Sequence, residues 1–183
     1  MILKEGALTL DFTGFQWAED FDTEENQCCG LKLVDFVAQS NDHILFVEVK
    51  NYDNVSEIPR KQAGMNKRKA IDYAMLTDPH AAFPLETGMV FKDSLLRWLA
   101  TGKAFTKPIK LLFLINEMPE FEPQDRLKLI ERVEGYIPTG MHTKLAQYPQ
   151  MQAVSFAMPT LAETKPLYGF TTTLTQPKET QTP

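Results

Sequence analysis

Residues 31–52 read LKLVDFVAQSNDHILFVEVKNY, two apolar runs separated by Asn41-Asp42. Both residues of that dipeptide tolerate the positive φ that a two-residue hairpin loop requires. A bend there pairs Ser40 with His43, so paired residue numbers sum to 83. Asp35 then lies opposite Glu48, and Leu33 opposite Lys50. One face of the hairpin reads Val34, Phe36, Ala38, Leu45, Val47 and Val49, wholly apolar and expected to be buried. The other reads Leu33, Asp35, Val37, Gln39, Ile44, Phe46, Glu48 and Lys50, with two carboxylates and an amine at one end.

Residues directly opposite on a sheet face lie about 5 Å apart, and like charges so placed destabilise the pair. Burial increases the cost, because each charge also loses water. Two arrangements relieve it. In one, Asp35, Glu48 and Lys50 form a partly exposed ion-pair cluster. In the other, a divalent cation lies between the carboxylates. Mg²⁺ is held by one or two carboxylates, waters and substrate phosphate oxygens, so Asp35 and Glu48 suffice as anchors, with the Val49 carbonyl as a further ligand. Lys50 would then orient or deprotonate the nucleophile and stabilise charge developing on phosphorus.

At these residues the sequence resembles the PD-(D/E)XK nuclease superfamily, in which an aspartate precedes a (D/E)-x-K triplet by one hairpin. Asp35 and Glu48-Val49-Lys50 match that pattern, and FVEVKNY is similar to members in which an apolar strand ends in E-V-K. The resemblance covers residues 31–76, with Ile109–Ile115 as the next core strand. It implies a restriction-endonuclease-like fold, with a central mixed sheet flanked by helices. It further implies hydrolysis of DNA, or RNA, by a metal-activated water, with Mg²⁺ (or Mn²⁺) on Asp35 and Glu48 and with Lys50 catalytic. Family members often carry an upstream acid on a helix, for which Glu19, Glu24 and Glu25 are candidates. Some carry a glutamine and a tyrosine on the helix after the lysine. Gln62 is present, but Asn66 stands where the tyrosine would be.

Beyond this stretch, charge is unevenly spread. Five acids fall between Glu19 and Glu25, and five bases (Arg60, Lys61, Lys67, Arg68 and Lys69) fall between residues 60 and 69. On an unbroken helix Arg60 and Lys61 share a face with Lys67 and Arg68. A solvated face is one reading of such a run. A strip holding a nucleic-acid backbone without base readout is the other, with Gln62 beside it. The net charge of −5 disfavours coating of DNA by the whole surface.

The remaining pattern predicts an early strand pair over 7–12 and 15–21. Helices are expected from Ser56 to Leu76 and over 87–101, the second with Phe91, Leu95, Trp98 and Leu99 on its buried stripe. A strand covered on both faces is expected over 109–115. A helix should start at Pro123, with Leu127, Ile130, Val133 and Ile137 inward, and a last strand should lie within 152–158. These elements make an α+β (mixed α/β) domain over residues 1–170, with 171–183 as a polar, disordered tail.

With 183 residues, 43% hydrophobic and 23% charged, the chain has the composition of one ordinary globular domain. No run reaches the roughly 18 apolar residues of a membrane span, and the first residues lack a secretory pattern. The adjacent Cys28 and Cys29 form no disulfide framework, and a cytoplasmic location is expected. The three histidines lack ligand spacing, and no phosphate-cradling glycine loop occurs. The reading is thus a nuclease acting on nucleic acid, DNA before RNA, with a homo-oligomer or a partner subunit compatible with it but not specified by the sequence. The alternative is a nuclease-fold protein without catalysis, serving as a nucleic-acid-binding or protein-interaction module.

Overall fold

The computed structural model describes residues 1–26, 30–51, 83–103, 106–116, 123–137 and 154–174. The Asn41-Asp42 bend forms as expected. The Ser40 N–H donates to the His43 carbonyl at 2.9 Å. The Ser40 hydroxyl accepts the N–H groups of Asp42 and His43 at 3.2 and 3.1 Å. Strands β4 (Phe36–Gln39) and β5 (Ile44–Asn51) run antiparallel with Phe36 opposite Val47 and Gln39 opposite Ile44, the expected register.

Strand β3 (Trp17–Asp20) extends this hairpin on one side, antiparallel to β4. Strand β6 (Ile109–Asn116) lies parallel to β5, and β7 (Val154–Ala157) lies parallel to β6. The sheet is therefore mixed, in the order β3-β4-β5-β6-β7. Parallel neighbours need long crossovers. Helices α1 (Phe83–Ala100) and α2 (Pro123–Glu134) fall within the two connections.

Both helices pack on one face of the sheet. Val37, Ile44, Phe46, Leu111 and Phe113 meet Phe91, Leu95, Trp98, Leu129 and Val133 in one core. Trp98 stacks on Trp17 of β3 at 5.7 Å and meets Phe46 edge-on at 5.6 Å. The opposite face, Phe36, Ala38, Leu45, Val47, Val49, Leu112 and Leu114, is covered by a second sheet. That sheet has the antiparallel order β1-β2-β8, from β1 (Ile2–Glu5), β2 (Leu8–Asp11) and β8 (Thr171–Leu174). A 3₁₀ turn (Leu161–Glu163) and the short helix α3 (Thr164–Tyr168) precede β8. Strand β6 is buried on both faces, as its unbroken apolar run predicted.

Several expectations are corrected. Strands β2 and β3 do not pair with each other. They belong to different sheets, and between them the chain turns at Gly14, whose φ of 102° favours glycine. Residues 31–35 are not strand, and Val34 joins the helix-side core instead of the face of Phe36. Leu99 is 50% exposed, because the buried arc of α1 centres on Thr87, Ser94 and Trp98. Leu127 is 57% exposed, whereas Leu129 is buried, because α2 docks through Leu129, Val133 and the following Ile137. The ordered chain also extends past residue 170. The polar Thr171–Leu174 hydrogen-bonds to β2 through its backbone, which needs no apolar side chains. The helix expected over 56–76, with Arg60, Lys61, Gln62, Lys67, Arg68 and Lys69, lies outside the described residues, as do Cys28, Cys29 and 175–183.

Among the described residues no helix is long and apolar enough to cross a membrane.

Candidate functional site

The two carboxylates come together where β4 leaves β5. In an antiparallel ladder alternate opposed pairs exchange both backbone bonds. Ser40 and His43 are such a pair, so Ala38 with Leu45, Phe36 with Val47 and then Val34 with Val49 follow. The last pair does not form. The Val49 N–H donates to Asp35 Oδ2 at 2.6 Å, and the Val34 N–H donates to Ser94 Oγ of α1 at 2.8 Å. On the other side the sheet continues, with the Phe21 N–H donating to the Asp35 carbonyl at 2.8 Å. Asp35 is thus held by its backbone to Phe21, just past β3, and by its side chain to β5. The Val49 carbonyl points towards β4 and loses the Val34 N–H that a continued ladder would supply.

Glu48 continues the line of Ile44 and Phe46 and is only 4% exposed. Its Oε1 pairs with Lys50 Nζ at 2.7 Å. Its Oε2 is buried with no hydrogen-bond partner among the described residues. Lys50 is 44% exposed along its side chain, so its amine stands at the lip of the site.

The electrostatics follow from burial. Asp35 is pushed up to about 8, first by desolvation and then by the charge of Glu48. The Val49 N–H and Lys50 oppose the rise. Glu48 is also raised, by burial above all, with Lys50 as the main opposing influence. A buried carboxylate and a partly buried one coupled to it resist joint ionisation. The ion pair marks Glu48 as the ionised member, and Asp35 as the one that holds a proton.

Two more acids act on the pair. Glu5, at the end of β1, raises both carboxyls, and Asp22 raises Glu48. Neither was among the upstream candidates. Glu19 pairs with Lys103 at 3.1 Å, away from the site, and Glu24 and Glu25 are exposed in the following turn. Asp22 belongs to the acidic run and follows Phe21, which the β3–β4 register sets opposite Asp35. That register was a signal available once the β3–β4 pairing was known. Glu5 reaches the site from the second sheet, and no local pattern announces it.

The donor set has limits. No group of three or more His, Cys, Asp or Glu among the described residues is arranged to hold a metal ion. The available donors are Asp35, the open Oε2 of Glu48 and the Val49 carbonyl. They suit a hard cation that keeps several waters. They do not suit zinc, which takes nitrogen and sulfur ligands in a closed tetrahedron. A cavity of about 330 Å³ lies at the far end of the hairpin, beside Ser40, His43 and Tyr168. It contains none of these donors, so the carboxylates and not the cavity mark the candidate site.

No protein family, curated protein or solved structure matches this chain.

Proposed function

We propose that this chain is a restriction-endonuclease-like nuclease domain that hydrolyses phosphodiester bonds of DNA with Mg²⁺ or Mn²⁺ held by Asp35 and Glu48. The mixed sheet with helices over one face supports the fold reading. The observation that carries the activity is Glu48 Oε2, buried and without a hydrogen-bond partner among the described residues, on a carboxyl that is electrostatically coupled to Asp35. Among the described residues the cation that pairs with these acids is the half-exposed Lys50, and a divalent cation offsets the remaining desolvation.

The donor chemistry fits such an ion, which Asp35 and Glu48 would hold with one oxygen each and the Val49 carbonyl as a further ligand. Bound there, the ion would supply Lewis acidity and a lowered pKa for water. Lys50 does the rest from the chain itself. Its amine, at the same end of β5, hydrogen-bonds to an incoming nucleophile and faces the negative charge that develops on the phosphoryl oxygens. Asp35 fixes the geometry through the Val49 N–H. The bases Arg60, Lys61, Lys67, Arg68 and Lys69, with Gln62, follow β5 by nine to eighteen residues in sequence, outside the described residues, and are the proposed contacts to the backbone of the nucleic acid.

Calorimetric titration with Mn²⁺ tests this reading. Uptake by the wild type and its loss in Glu48→Ala are expected, together with Mg²⁺-dependent plasmid cleavage. A wild type that takes up no Mn²⁺ at millimolar concentration refutes it. DNA binding without Mn²⁺ uptake would identify a nuclease-fold binding module instead. The ion pair that already occupies Glu48 Oε1 is the feature that favours that second reading.

A further inference from the structure

We infer that Asp93 and Ser94, adjacent residues of α1, position the candidate site by drawing the chain before β4 off the sheet. The functional part of this inference rests on the metal-dependent reading above. The structural part does not.

Two backbone N–H groups two residues apart lie on the same side of an extended chain. Those of Lys32 and Val34 are both taken by α1. Lys32 N–H donates to Asp93 Oδ2 at 3.0 Å, and Val34 N–H donates to Ser94 Oγ at 2.8 Å. Ser94 is fully buried, and its hydroxyl donates to the Val90 carbonyl at 2.8 Å. Its proton is thereby committed to its own helix, and a lone pair faces Val34. The two adjacent side chains act as a surrogate strand edge, built on a helix.

Three consequences follow at the site. Leu33 and Val34 both enter the helix-side core, which a regular pleat forbids to neighbours in sequence. The Val49 N–H, deprived of the Val34 carbonyl, is taken by the Asp35 carboxylate. The Val49 carbonyl, on the strand side that β4 would occupy, is left without the Val34 N–H. Without Asp93 and Ser94 the most accessible alternative is one more ladder pair, Val34 with Val49. That pair would displace the Asp35 carboxylate from its N–H and occupy the Val49 carbonyl. Asp93 and Ser94 are therefore positioning residues. Neither is proposed to touch substrate or metal.

The test is Ser94→Ala in the full chain, read by amide NMR and by Mn²⁺ calorimetry. An amide–amide Overhauser contact between Val34 and Val49, the signature of a hydrogen-bonded antiparallel pair, is expected to appear in the variant and to be absent from the wild type. Mn²⁺ affinity is expected to fall tenfold or more. Asp93 is only partly buried. Asp93→Ala therefore serves as a second variant should Ser94→Ala fail to fold, with the same contact and a smaller loss of affinity expected. Asp93→Asn keeps an acceptor oxygen and should restore both readings to wild type, which a general loosening of α1 would not do. Unchanged affinity, or a fall without the new Val34–Val49 contact, overturns the inference. If the wild type takes up no Mn²⁺, the proposed activity fails, and the amide contact alone decides whether Asp93 and Ser94 hold the strands apart.

Discussion

The carboxyl of Asp35 ties the chemistry of this chain to its stability. Its pKa is about 8 in the folded protein against an ordinary 3.8, chiefly because it is buried and next because Glu48 faces it. Folding therefore draws a proton onto Asp35. The associated stability is complete below pH about 4 and is lost as pH rises through about 8. Thermal melts of the metal-free protein should show Tm falling across that window, and Asp35→Asn should flatten the profile. An identical slope in the variant would contradict the assignment. Mn²⁺ competes with the same proton, so its apparent affinity should rise with pH over the same range. Lys50→Ala should behave differently. It strands Glu48 without its 2.7 Å partner, at a cost on the order of 1–3 kcal/mol. Mn²⁺ should still bind and recover much of that loss. Cleavage should fall by on the order of 100-fold or more, measured on plasmid DNA at saturating Mg²⁺. The electrostatic coupling of Asp35 with Glu48 was legible in the sequence because a two-residue bend leaves one register, although the strand pair itself stops at Phe36 and Val47, one residue short of them. Glu5 was not, because nothing near it in sequence belongs to the site.

The helices pack against each other more closely than their apolar stripes alone would indicate. A Cβ built on Gly88 of α1 would lie 2.5 Å from the Cβ of Tyr136, just beyond α2, and 3.2 Å from its carbonyl oxygen. Gly88→Ala gains up to about 1 kcal/mol of helix propensity. Forcing the elements apart costs about 1–3 kcal/mol. The steric term should win, and denaturant unfolding should show a lower midpoint with an unchanged slope. A stabilised variant would mean that Tyr136 moves aside freely. The same close docking explains where the stripes were misread. Leu127 and Leu129 lie on nearly opposite sides of α2, and only the rotation at which α2 meets the sheet places Leu129 inside. Leu99 is likewise at the margin of the arc that Ser94 and Trp98 centre. An apolar residue near the edge of a stripe carries no information on which way its helix is turned.

At the scale of the molecule, the mixed sheet is enclosed by helices on one side and the β1-β2-β8 sheet on the other. Phe170 leads the chain into β8 and is fully buried, stacked on Phe12 at 4.9 Å. Phe170→Ala should cost about 3–5 kcal/mol through lost contacts and a residual cavity. Equilibrium unfolding would measure it, and a loss below about 1 kcal/mol would show that the second layer contributes little. The second sheet also brings Glu5 to the acid pair, so its loosening should lower the pKa of both carboxyls.

The residue pattern by itself determined the hairpin, its register, the doubly buried β6 and the meeting of Asp35 with Glu48. Each is a local consequence of a bend or of alternating side chains. Tertiary structure alone decided that β2 and β3 part into separate sheets, that a polar tetrapeptide completes one of them, and that β4 ends at Phe36. In all three cases the deciding bonds are made by backbone groups to partners remote in sequence, such as the Val34 N–H to Ser94. Backbone groups are the same at every residue, so side-chain identity does not record which partner they take.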